Sequence, residues 1–176
     1  MTREATLQDL PTLRQVEQAA GAPFRGLGMD AVADDDPPSL TELSAFQADR
    51  RAWVCTDTDD LPVAYILVEV IDDEAHVEQV SVHPDHAGQR LGQRLIDRVE
   101  TWARARGLTS LTLTTYRDVP WNAPYYRRLG FDELEESVMG PGLRELRRTE
   151  ADRGLDRWPR VAMRREISRR GSDVRS

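Results

Sequence analysis

Residues 83–96 read HPDHAGQRLGQRLI, and this stretch indicates the fold more strongly than any other part of the chain. The preceding run, HVEQVSV at 76–82, alternates apolar and polar residues and predicts a strand. An amphipathic helix is predicted next, over about residues 90–106. Its apolar face comprises Leu91, Leu95, Ile96, Val99, Trp102 and Ala103. The chain therefore passes from strand to helix through a turn that contains Gly88 and Gly92.

A glycine-containing turn at a helix start has two possible explanations. The turn can simply need positive φ, which glycine adopts without strain. Alternatively, its free amides and the positive end of the helix dipole can bind an anion such as a phosphate. The stretch is not a P-loop, because the Lys-Ser/Thr ending is missing, and its glycine spacing is not that of a dinucleotide-binding fold. The motif alone leaves both explanations open.

The surrounding pattern predicts an α/β (α+β) domain. Apolar runs at 51–56, 63–70 and 76–82 predict an antiparallel meander. A strand at 111–115 completes a strand-helix-strand unit, which normally has a right-handed crossover and parallel strands. The other predicted elements are a strand at 2–5, a helix at 7–19, a long loop at 20–38, a helix at 40–49 with a capping box, a short helix at 121–129, a strand from 131, a helix at 141–155 and a last strand at 158–167.

Composition narrows the functional class. The chain has 176 residues and a net charge of −7, but residues 1–78 hold five arginines against seventeen acidic residues. The single cysteine, Cys55, excludes an internal disulfide and a cysteine-rich zinc site, and three scattered histidines form no metal-ligand pattern. No apolar run approaches the ~20 residues of a membrane span. We therefore expect a cytoplasmic protein with no metal and no membrane partner. One domain is expected at 1–167, with a polar, disordered tail at 168–176.

Nucleic acid is not an expected partner. The arginines of 144–170 alternate with acidic residues and lack interleaved aromatic residues.

Two motifs together resemble the GCN5-related N-acetyltransferase (GNAT) superfamily, in the form of its small bacterial members. The first is Val82, Pro84, Gly88 and Gly92 entering a helix, and the second is YYRRLGF at 125–131. The resemblance spans roughly residues 2–136. It implies a mixed, mostly antiparallel central sheet of six to seven strands flanked by helices, with the fourth and fifth strands splayed apart.

The sequence departs from the family pattern at three positions. Ala87 stands where the family has Gln or Arg, Arg90 stands where it has Gly, and Val119 stands where it has Asn. Backbone amides do not depend on side chains, so the resemblance still implies diphosphate binding at this turn. Arg90 could add a charge-assisted contact, and Asn122 could replace the missing Asn.

The resemblance implies acetyl transfer from acetyl-CoA to an amine. The backbone of Val80, Ser81 and Val82 should bind the pantetheine arm, and Tyr126 should lie near the sulfur as the general acid. The residues expected around the diphosphate are Ala87, Gly88, Gln89, Arg90, Leu91, Gly92 and Gln93. Glu78 and His76, on one face of the predicted strand, are the candidate bases.

The acceptor is expected against the loop at 20–38. Phe24, Met29 and Trp121 could form apolar walls, and Asp30 with its acidic neighbours could attract a cation. We expect a small, cationic primary amine that attacks directly in a ternary complex. Two alternatives stay open: acetylation of a protein N-terminus or lysine, and a non-catalytic acyl-CoA sensor. The family also makes a homodimer plausible.

Overall fold

The computed structural model describes residues 1–168. The predicted disordered tail therefore lies, apart from its first residue, outside the described residues. The strands are β1 (Thr2–Glu4), β2 (Ala52–Thr56), β3 (Pro62–Ile71), β4 (Glu74–Val82), β5 (Ser110–Tyr116), β6 (Asp132–Glu133) and β7 (Arg160–Glu166). The α-helices are α1 (Leu10–Gly21), α2 (Asp30–Ala33), α3 (Leu40–Ala48), α4 (Leu91–Ala105), α5 (Ala123–Arg128) and α6 (Pro141–Asp152).

The chain divides into two compact units. Strands β3 and β4 and helix α4 each have residues in both units. The first unit comprises Met1–Glu69 and Val77–Val99, and the second comprises Val70–His76 and the chain from Glu100 onwards. The strand order is β1-β2-β3-β4-β5-β7-β6. β4 pairs with β5 in parallel, whereas β1 with β2, β2 with β3, and β7 with both β5 and β6 pair antiparallel. The predicted mixed, mostly antiparallel sheet is confirmed.

The parallel pair is short. Ala75 lies opposite Leu111 and His76 opposite Thr112, and this register does not include the later residues of β4. A short parallel contact is the arrangement that the predicted splay of these two strands requires.

The first unit is built around helices α1 and α3. Their apolar residues pack on one face of β2 and β3, as a helix with one apolar stripe must. The buried cluster comprises Ala5, Leu10, Leu13, Val16, Leu43, Ala52, Val54, Tyr65 and Leu67. The predicted capping box starts α3: the Ser39 Oγ accepts from the Glu42 amide at 3.1 Å, and the Ser39 amide donates to Glu42 at 2.7 Å.

Helix α4 has the apolar face that its sequence predicts. Leu95, Ile96 and Val99 are completely buried, and Leu91, Trp102 and Ala103 are buried as well. The helix ends at Ala105, and Gly107, two residues later, has a φ of +71°, the left-handed conformation that often follows a helix C-terminus. In the second unit, Val161, Ala162 and Met163 of β7 are all buried.

The segment 20–38 differs from the predicted loop. Residues 22–27 form a 3₁₀-helix and residues 30–33 form the short helix α2. Gly28, at φ +71°, separates the two, and Met29 is buried. Elements of four to six residues complete only one or two turns, which is too short for apolar periodicity to reveal them. Within residues 1–168, no helix has both the length and the apolar character of a membrane span.

Candidate functional site

The segment between β4 and α4, residues 83–90, is here called the helix-start loop. It begins at His83, whose Nδ1 accepts from the Asp85 amide at 3.2 Å, and continues as a 3₁₀ turn at Pro84–His86. The Ala87 amide donates back to the Pro84 carbonyl at 3.1 Å. These local bonds order the loop, and Ala87, Gly88, Gln89 and Arg90 are all exposed.

Two residues of the helix-start loop have left-handed backbone. Gly88 has a φ of +78°, and a Cβ there would meet nothing within 4 Å. Arg90, directly before the helix, has a φ of +57°, which costs an L-amino acid free energy. Arg90 therefore has a left-handed backbone conformation, which glycine, the residue of the resembled family at this position, adopts without strain.

Helix α4 makes the loop a suitable anion site. Its 15 residues give it a full macrodipole, and the first amides of any helix have no intrahelical acceptor. The open space beside Gly88 lets a phosphate approach the backbone. The residues present therefore fit the diphosphate of a coenzyme.

A polar network in the first unit centres on Glu17 of α1. The Glu17 Oε2 accepts from the Tyr65 hydroxyl at 2.8 Å and from the Ser81 hydroxyl. The Gln79 side-chain amide donates to Glu17 Oε1 at 3.1 Å and to Oε2 at 3.2 Å. Burial raises the pKa of the Glu17 carboxyl, and the negative charge of Asp35 adds to this effect.

Sequence reasoning missed Glu17, although a signal was present. Glu17 lies four residues after Leu13 and seven after Leu10, so it falls on the apolar face of α1. A carboxylate at such a position must find hydrogen-bond donors. Ser81, which was expected to contribute backbone only, contributes its buried hydroxyl to this network.

Tyr126 lies in the second unit, on α5. It is 6% exposed and packs edge-to-face on Phe131 at 5.8 Å between ring centroids. Burial raises the pKa of its phenol, with a smaller contribution from Tyr125. Its neighbour Tyr125 is only half-buried, so Tyr126 is the core residue of the pair.

Asn122 precedes α5 and carries an unused hydrogen-bond acceptor. Its Oδ1 is enclosed and has no partner among the described residues, while its Nδ2 donates to the Trp121 carbonyl at 3.4 Å. A buried amide oxygen without a donor is costly, and a ligand amide could satisfy it. This observation fits the proposed contact of Asn122 with the amide-containing pantetheine arm.

The two candidate bases have different surroundings. His76 is 1% exposed, and its Nδ1 lies 2.9 Å from the Thr112 Oγ1. Burial lowers the pKa of His76 to about 4, although Glu150 opposes the shift. This environment disfavours His76 as a base that a substrate can reach. Glu78 is exposed.

The predicted acceptor residues also differ in accessibility. Asp30 is exposed, Phe24 is half-buried, and Trp121 is 38% exposed. Met29 is 4% exposed and therefore belongs to the core rather than to an open wall. Across residues 1–168, no cluster of three or more His, Cys, Asp or Glu side chains is arranged to hold a metal ion.

Comparisons with known proteins identify the family of the chain. The sequence model described as the acetyltransferase (GNAT) family matches residues 13–131. The [ribosomal protein bS18]-alanine N-acetyltransferase of Salmonella typhimurium is 27% identical over 125 residues, which are 71% of this chain and 76% of that protein. The amino-acid acetyltransferase of Serratia proteamaculans is 37% identical over 60 residues, which are 34% of this chain and 13% of that protein.

Solved structures share the fold. The Escherichia coli ribosomal-protein-S18-alanine N-acetyltransferase superposes with a TM-score of 0.65 at 22% identity, covering 100% of this chain and 99% of that chain. The PaiA N-acetyltransferase of Thermoplasma acidophilum, crystallised with coenzyme A, gives a TM-score of 0.69 at 14% identity, covering 94% and 98%.

Proposed function

Because the chain belongs to the acetyltransferase (GNAT) family, we propose that it transfers acetyl from acetyl-CoA to the primary amine of a small, cationic acceptor. That the chain is an acetyl-CoA-dependent N-acetyltransferase follows from the family itself. The observation that carries the proposed acceptor is the acidic character of the first unit. Its half-buried Glu17 and the exposed acids Asp30, Asp35 and Asp36 favour a positively charged molecule.

The proposed binding of the cosubstrate has three parts. The amides around Gly88 and Gly92 hold the diphosphate, the backbone of 80–82 pairs with the pantetheine arm, and Asn122 Oδ1 accepts from an amide of that arm. An alkylammonium has a pKa near 10, so the acceptor must lose a proton before it attacks the thioester carbonyl. Glu78 remains the base proposed from sequence.

Tyr126 is proposed as the acid that protonates the departing thiolate. Its burial raises the phenol pKa, so the phenol stays protonated at neutral pH. Replacement of Tyr126 by Phe should lower kcat at least tenfold while the Kd for acetyl-CoA stays nearly unchanged, because removing a general acid costs typically 10²–10⁴-fold. Steady-state kinetics and calorimetry measure the two constants. Tyr125→Phe serves as the control, and an unaltered kcat in Tyr126→Phe would remove the acid role.

A peptide N-terminus is a second candidate acceptor. The observation in its favour is the similarity to the bS18-alanine acetyltransferase over 71% of this chain. An α-amino group has a pKa near 8 and needs less help to lose its proton.

One screen separates the candidates. The full chain is incubated with acetyl-CoA and either spermidine or a short peptide that begins with alanine, and the released thiol is measured. Thiol release with spermidine, at ten times the rate without acceptor or more, supports the first proposal. Release with the peptide alone supports the second. Tight acetyl-CoA binding with no release in either case would support the non-catalytic sensor instead.

A further inference from the structure

The Glu17 carboxylate is partly buried, and its hydrogen-bond donors are all neutral. Other carboxylates that are at least partly buried pair with arginine, among them Asp9 with Arg3, Glu74 with Arg164, Glu100 with Arg165, and Glu150 with Arg147. No arginine of residues 1–168 forms an ion pair with Glu17. Its partners are the neutral donors of Tyr65, Gln79 and Ser81. A partly buried carboxylate without a countercharge is costly, and a bound cation removes the cost.

The two carboxylate oxygens of Glu17 differ in how many further hydrogen bonds they can accept. Oε2 accepts from the Tyr65 and Ser81 hydroxyls and shares the Gln79 amide. Among residues 1–168, Oε1 accepts only from the Gln79 amide, which is itself shared between the two oxygens. A carboxylate oxygen has two lone pairs, so Oε1 can take a further donor. The network therefore fixes the carboxyl through Oε2 and leaves Oε1 available.

We infer that Glu17 Oε1, in place of the Glu78 that the sequence suggested, binds the ammonium group of the acceptor and receives its proton. This inference rests on the proposed function. The N–H bond of the ammonium breaks and its proton passes to Glu17. The freed lone pair forms the bond to the thioester carbonyl carbon. The C–S bond then breaks, a second proton leaves the new amide nitrogen, and the thiolate gains one proton. Each turnover thus releases one net proton, which Glu17 returns to solvent.

The groups that face Glu17 set its pH response. Tyr65, Gln79 and Ser81 donate from β3 and β4, and Asp35 adds a negative charge from the segment after α2. Burial raises the pKa of Glu17 above its ordinary value of 4.5, and Asp35 acts in the same direction. A raised pKa makes the carboxylate a better proton acceptor near neutrality. The bound ammonium would lower it again.

The test compares Glu17→Gln with the wild type in full-length protein. Glutamine keeps an oxygen that accepts from Tyr65 and Ser81, so the fold should persist. Glu145→Gln, which removes an exposed charge of α6, is the matched control. With the acceptor that the wild type acetylates, we expect kcat/KM to fall at least hundredfold in Glu17→Gln, with the acidic limb of its pH profile lost and the Kd for acetyl-CoA within twofold. A kcat/KM within threefold of wild type overturns the inference and leaves the proposed function intact.

A second readout needs no turnover. Spermidine and the alanine peptide are each titrated by calorimetry into protein saturated with coenzyme A. We expect wild type and Glu145→Gln to bind at least one probe, and Glu17→Gln to bind it at least tenfold more weakly. Binding that depends on Glu17 without any acetyl transfer would refute the proposed function alone. Equal affinity in Glu17→Gln, or no binding of either probe by the wild type, refutes the inference.

Discussion

Arg90 shows how one residue keeps a backbone conformation that its side chain opposes. Its φ of +57° lies in the left-handed region, where an L-residue is strained by roughly 1–2 kcal/mol. The strain is retained directly before helix α4, in the loop that we propose holds the diphosphate. Strained residues of this kind concentrate at functional sites.

Arg90→Gly should therefore stabilise the chain by about 0.5–1 kcal/mol, because the relieved strain exceeds the added entropy of the unfolded glycine. Urea denaturation measures the free energy of unfolding. Arg90→Ala removes the charge and keeps the strain, so its stability should match the wild type. Equal stability of the Gly and Ala variants would show that the left-handed backbone carries no strain.

His76 predicts a dependence of stability on acid. Burial lowers its pKa from 6.5 to about 4, so the unfolded chain binds a proton more readily than the folded chain. The stabilisation is complete above pH 6.5 and is lost as the pH falls towards 4. Each pKa unit is worth about 1.4 kcal/mol, so this residue contributes about 3 kcal/mol.

Replacement of His76 by Gln should remove that dependence. Relative to His76→Gln, the wild type is expected to lose about 3 kcal/mol of unfolding free energy between pH 7 and 4. Chemical denaturation across this pH range checks the expectation. A constant difference between wild type and His76→Gln would contradict the buried, neutral imidazole.

At the scale of elements, a carboxylate outside α6 caps that helix. The helix starts after Gly140, which has no side chain to accept from the first amides. Asp72, in the turn between β3 and β4, accepts from the Gly142 amide at 2.8 Å and from the Leu143 amide at 2.9 Å. A Cβ on Gly140 would clash with the Asp72 carboxylate, so glycine favours this close approach.

Asp72→Ala should destabilise the chain by about 1–2 kcal/mol, since a lost N-terminal cap costs that amount. The neighbouring Asp73→Ala is the control, because both residues have positive φ, 54° and 60°, and lose the same conformational preference. Urea denaturation of the two variants isolates the cap. Equal destabilisation of the two variants would mean that the lost free energy of unfolding comes from the changed turn and not from the lost helix cap.

At the scale of the whole molecule, charge is distributed unevenly along the chain. The excess of acidic residues in the first 78 contrasts with the overall net charge of −7, so arginines predominate in the remainder. A cationic acceptor should be attracted to the acidic part before it binds, and salt screens such attraction.

If spermidine is acetylated, its kcat/KM should fall at least threefold between about 20 and 300 mM salt, because the Debye length shortens severalfold over this range. Initial rates of thiol release at constant pH give this value. The alanine peptide carries less charge and should respond less. A kcat/KM for spermidine that does not change with salt concentration would argue against electrostatic selection of the acceptor.

Local sequence patterns were sufficient to predict the order of the helices and strands. Apolar runs predicted β2 to β5, the apolar stripe of α4 predicted that helix, and Ser39 with Glu42 predicted the start of α3. The short helices inside 20–38 escaped because they span too few residues for a period to emerge. The candidate site followed from the resemblance of two motifs, and its individual residue roles stay predictions.

The sequence by itself determined the family, the cosubstrate and the strand-to-helix turn, because each depends on residues that are close together along the chain. Only the tertiary structure could join Glu17 to Tyr65 and Ser81, or Asp72 to the start of α6. These partners are 48, 64 and 70 residues apart. Their hydrogen bonds, and the raised pKa values of Glu17 and Tyr65, exist only once the chain has folded, since desolvation and the approach of a distant donor have no counterpart in sequence spacing.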